Sequence, residues 1–72
     1  MQPSEIKRLI EENLPNAVAV VKSDDNVHFQ AEIKSPVFEG KSRVQQQQMV
    51  YAILDSYIKS GEIHAISLRL ST

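Results

Sequence analysis

The stretch that decides the fold is Phe38-Glu39-Gly40-Lys41-Ser42-Arg43-Val44, the glutamines 45–48, Met49-Val50-Tyr51 and, further on, Ile63-His64-Ala65. Gly40 suits a tight turn. Ser42 followed by Gln45 has the spacing of a capping box, in which each residue satisfies a backbone amide of the other. A helix over Arg43–Lys59 follows, and Gly61 stands where a left-handed residue ends it. Val44, Gln47, Tyr51, Leu54 and Ile58 fall on one face of that helix and are expected to be its inner side, with Val50, Ile53 and Tyr57 beside them. Glutamine is a fair helix former, and a run of four reads as ordinary helix surface. The last strand is expected over Ile63–Leu70.

Working back toward the amino terminus, Ser35-Pro36 breaks a strand in which Phe29, Ala31 and Ile33 alternate with His28, Gln30 and Glu32. That alternation gives one apolar and one polar face. Ser23-Asp24-Asp25-Asn26 is a polar turn, so the strand before it should run antiparallel. That first strand, Ala17–Val21, is β-branched and apolar and reads as well covered. Ile6, Leu9, Ile10 and Leu14 form one face of an amphipathic helix, with Ser4 as the expected N-cap and Pro15 ending it. The order is helix, strand, strand, helix, strand. A helix between the second and third strands allows a crossover and makes them parallel neighbours. The expected fold is α+β: a three-stranded mixed sheet with both helices on one face, in αββαβ order.

A chain of 72 residues is read as one domain, residues 1–72, with a modest core. It contains no cysteine, which excludes disulfides, zinc-thiolate sites and thiol nucleophiles. No apolar run approaches a membrane span, and the first residues have no signal-peptide character. A cytoplasmic protein, monomeric or weakly dimeric, is therefore expected. Eight basic and nine acidic residues leave a formal charge of −1, too little for strong generic attraction to nucleic acid. No nucleophile–base pair or phosphate loop is visible, so no enzymatic activity is expected. Asp24-Asp25 lacks the further acids of a calcium loop and reads as a solvated turn.

Two histidines carry what chemistry remains. His28 and His64 stand near the beginnings of parallel neighbouring strands, so their imidazoles and the 24–27 turn could meet at one end of the sheet. Neutral imidazole ligates iron, zinc or copper, but two histidines suit only a site completed by a partner. Period-two counting sends His28 to the polar face and His64 toward the core with Ile66, Leu68 and Leu70. Both can serve one metal only if one of them lies outside regular pairing. The alternative is a half-buried His64 near the last turn of the long helix and an exposed strand His28.

The pattern F-x-G-x-S-R-V-x-x-Q-Q-x-V-Y over Phe38–Tyr51, followed by Ile63-His64-Ala65, resembles the BolA-like family. The likeness extends over Ile6–Leu70. It implies a fold related to the type II KH domain and a non-catalytic role in stress response or iron handling. It also implies a monothiol glutaredoxin partner and a shared 2Fe-2S cluster, the partner side supplying a cysteine and glutathione. His64 matches the family's histidine ligand. The loop that often carries a second His or Cys ligand is here Ser23–Val27, without either, and His28 is the nearest substitute. Some family members are described as transcriptional regulators, which gives a second expectation: DNA bound by Lys34, Gly40, Lys41, Arg43 and the helix start. The same residues could instead meet an acidic partner surface. Against DNA, the KH loop G-x-x-G keeps only Gly40, and glutamines replace basic residues seen in several members.

Overall fold

The computed structural model describes all 72 residues. Helix α1 (Pro3–Asn13) leads to strands β1 (Val18–Lys22) and β2 (His28–Lys34). A 3-10 turn (Pro36–Phe38), helix α2 (Arg43–Ser60) and strand β3 (Ala65–Ser71) complete the chain. The sheet order is β1-β2-β3, antiparallel between β1 and β2 and parallel between β2 and β3. This is the expected two-layer α+β arrangement.

Helix α1 starts earlier than Ser4. Gln2 is the N-cap, and its backbone N–H donates to Glu5 Oε1 at 2.9 Å. Pro3 occupies the first turn, where its missing N–H costs nothing and its fixed φ suits the helix. Ile6, Ile10 and Leu14 enter the core as their spacing requires.

Strand β1 is not well covered. It lies at the sheet edge, with Val18 59% and Val20 48% exposed and only Ala19 fully buried. Its outer edge is closed by α1 instead. Lys7 Nζ donates to the Ala19 carbonyl (2.8 Å), and the Ala19 N–H donates to Glu11 Oε2 (3.0 Å). Lys7 and Glu11 are themselves paired at 2.7 Å. The Lys7 hydrogen bond, then the Ala19 amide, hold the Glu11 carboxyl below its ordinary range.

Ser42 and Gln45 form the anticipated capping box of α2, and Gly61 ends it at φ 85°. The inner face differs from the expected one. Val50 and Leu54 are buried with Ile53 and Tyr57 against them, while Val44 is 61%, Tyr51 39% and Ile58 36% exposed. Apolar residues occur around much of this helix, so periodicity alone does not fix its rotation. Packing against α1 and β3 does.

The core joins Ile6, Ile10 and Leu14 to Phe29, Ala31 and Ile33, closed by Phe38, Val50, Leu54 and Ile63. Ser35 is the sole buried polar residue. Its Oγ donates to the Pro15 carbonyl (2.8 Å) and its N–H to the Ser71 carbonyl (3.0 Å). One residue thus ties the end of β2 to the α1–β1 connection and to β3.

Candidate metal-binding histidine site

Parallel pairing sets His28 opposite Ala65, so His64 arrives beside the first residue of β2. The Val27 carbonyl accepts both the His64 N–H (2.7 Å) and the Ala65 N–H (3.2 Å). Strand β3 therefore begins at Ala65, two residues later than expected. Ile63 is fully buried and Ile66 again turns toward the core. Two inward residues three apart break the period of two, and the break falls at His64-Ala65. His64 is thereby turned out of the core and exposed. It is neither inward with Ile66 nor half-buried, which removes the conflict found by counting along the strand.

The imidazoles meet. His64 Nδ1 lies 3.2 Å from His28 Nε2, with ring centroids 5.0 Å apart and planes at 66°. Behind them, Asp25 Oδ2 accepts from His28 Nδ1–H at 2.7 Å. Asp25 Oδ1 accepts the N–H groups of Val27 (3.0 Å) and His28 (2.8 Å). The His28 amide, then its imidazole, then the Val27 amide hold the Asp25 carboxyl well below the usual carboxylate range. Ser23 Oγ accepts from the Asn26 N–H and donates to the His28 carbonyl, closing the turn.

Asp25 was not distinguished in the sequence from a solvated turn residue. A carboxylate three residues before a strand-opening histidine was its only mark. A short polar side chain commonly takes amides two and three residues ahead.

The donor set bears directly on what could bind. There is no cysteine, and no group of three or more His, Cys, Asp or Glu is disposed to hold a metal. The chain alone cannot complete a four-coordinate site. It offers an exposed imidazole at a partly built edge, which fits a group shared with a second molecule.

The other candidates lie elsewhere. Gly40, Lys41 and Arg43 form the turn into α2, with Gly40 at φ 77°. Lys34 ends β2, across the 3-10 turn from them. Lys34 is at the end of β2 remote from His28, about 20 Å along the strand. Lys34, Lys41 and Arg43 are exposed and none is in an ion pair. The helix start they flank is already occupied in part by the Ser42–Gln45 box, and Gln46 Nε2 donates to the Phe38 and Lys41 carbonyls. No helix is long and apolar enough to cross a membrane.

A family model described as "BolA-like protein" matches residues 4–72. The acid stress protein IbaG of Escherichia coli K12 is 39% identical over 66 residues, 88% of this chain and 79% of that protein. A bolA protein homologue from Coxiella burnetii has a similar structure, with TM-score 0.86 and 33% identity over 100% of this chain and 91% of its own. The BolA domain of SufE1 from Arabidopsis thaliana gives TM-score 0.85 and 31% identity over 97% and 89%.

Proposed function

The chain belongs to the BolA-like protein family, and on that premise we propose that it is a non-catalytic adaptor that shares a 2Fe-2S cluster with a monothiol glutaredoxin and glutathione, in iron handling or stress response. The observation that carries this reading is His64. It is exposed, lifted out of the strand period, and set at the end of the sheet where a second protein can approach. Its match to the family's histidine ligand supplies the role.

The chain's own part is to present that nitrogen. The buried Ile63 anchors the backbone on one side, with its N–H on the Tyr57 carbonyl (3.0 Å). The Val27 carbonyl fixes it on the other. His28 lies against the ring. With no cysteine of its own, the chain leaves thiolate ligation to the partner. A cluster bound there would supply one-electron chemistry or be passed on as cargo, and imidazole ligation raises its potential relative to thiolate alone. The relative named as an acid stress protein supports a stress role.

The test is anaerobic reconstitution with a monothiol glutaredoxin, iron, sulfide and glutathione, followed by visible absorption and circular dichroism. A spectrum distinct from that of the glutaredoxin alone, lost in His64→Ala, is the expected result. No change with the wild-type chain would sink the proposal.

The unpaired cations Lys41 and Arg43 at the α2 turn, with Lys34 at the end of β2, support a second reading, a nucleic-acid-binding regulator. It requires binding of duplex DNA that weakens steeply with salt and is lost in Lys41→Ala/Arg43→Ala, with His64→Ala silent.

A further inference from the structure

Hydrogen-bond chemistry fixes where the protons sit in the histidine pair. Asp25 is held as a carboxylate and can only accept, so His28 Nδ1 carries a proton. In the neutral ring His28 Nε2 is then a bare acceptor. The group facing it at 3.2 Å, His64 Nδ1, must be the donor. His64 is left with its lone pair on Nε2, directed away from His28.

We propose that His64 presents Nε2 as the sole ligand atom of this chain, and that His28 and Asp25 are positioning residues behind it rather than ligands. The order is carboxylate, imidazole, imidazole, ligand nitrogen. It extends by one ring the outer-shell arrangement in which a ligating histidine donates its other N–H to an acceptor, which fixes tautomer and orientation and raises basicity. The ligand role rests on the function proposed above; the proton arrangement does not.

A separation of 3.2 Å would also fit two nitrogens on one tetrahedral metal, whose edge is about 3.3 Å at ordinary Zn–N distances. The proton on His64 Nδ1, shared with His28 Nε2, decides against it in the free chain. The His28 ring is gripped at Nδ1 by Asp25, and Asp25 is gripped by the amides of Val27 and His28 itself. The single lone pair left on His28 is spent on His64. Joint ligation would need that proton removed and both rings turned.

The first arm is NMR of the 15N-labelled chain alone, with both imidazoles neutral, reading the two-bond couplings of each ring. Nδ1–H is expected on both His28 and His64, the reverse of the form a free histidine side chain favours. His28→Ala should return His64 to Nε2–H, and His28→Gln, whose amide oxygen can still accept, should retain Nδ1–H. Dominant Nε2–H on His64 in the wild type, or an unchanged tautomer in His28→Ala, would overturn the relay.

The second arm is the reconstitution with glutaredoxin. His28→Ala should keep the heterocomplex spectrum with a shifted reduction potential, whereas His64→Ala loses it. Loss in both would make His28 a ligand and overturn the proposal. The Nδ1–H tautomer without any wild-type heterocomplex would instead remove the ligand role and the function above, and leave the proton arrangement standing.

Discussion

Asp25 turns the polar turn Ser23-Asp24-Asp25-Asn26 into a support for His28. Because its folded carboxyl titrates below the ordinary value near 3.9, the stabilisation it brings is present above that value and is lost as pH falls through the lower, folded one. The Val27 and His28 amide resonances should therefore stay constant from pH 5 to 4 and shift only under more acidic conditions. Movement centred near pH 4 would mean that the carboxylate is not held. Ser35 offers a test in the core. Ser35→Ala strands the Pro15 carbonyl and the Val37 N–H, and should cost about 1–2 kcal/mol in denaturant unfolding. Both residues looked like turn or strand-end punctuation in the sequence. Their partners, His28 and Pro15, take meaning only when the turn closes and β2 meets the α1–β1 connection.

At the scale of elements, capping and period made α2 and its ends legible, while its rotation was not. Leu54 lies on the inner face under either reading, but Val44 does not. Leu54→Ala should cost about 2–5 kcal/mol, and Val44→Gln should change stability by less than about 0.5 kcal/mol. A large loss in the second would restore the rotation expected from the sequence. Edge strand β1 gives another test. With Lys7 and Glu11 on the backbone of Ala19, the strand cannot extend into a neighbour there. Lys7→Ala/Glu11→Ala should speed hydrogen exchange of the Ala19 amide. It should also promote concentration-dependent self-association through exposed Val18 and Val20, detectable by sedimentation. These contacts cross from a helix to a strand, and neither segment announces them alone.

Over the whole molecule, 33 Å long, the histidine pair and Lys34 occupy opposite ends of β2. Arg43 sits by Leu68, Arg69 and Leu70, whose β2 partners Ala31, Glu32 and Ile33 begin about 10 Å along the strand from His28, beyond the screening length of about 8 Å at physiological salt. Lys41→Ala/Arg43→Ala should therefore leave the spectrum of a cluster-bound heterocomplex unchanged, which reconstitution would check. Local properties determined the element order, the parallel crossover, the capping of α2 and the family pattern, because period, turn residues and motif spacing are written along the chain. Tertiary structure decided the rotation of α2, the exposure of His64 and the line from Asp25 through His28 to His64. The physical reason lies in sequence distance. His28 and His64 are 36 residues apart, and only the parallel register of β2 and β3, with Ile63 drawn into the core, brings their nitrogens within hydrogen-bonding distance.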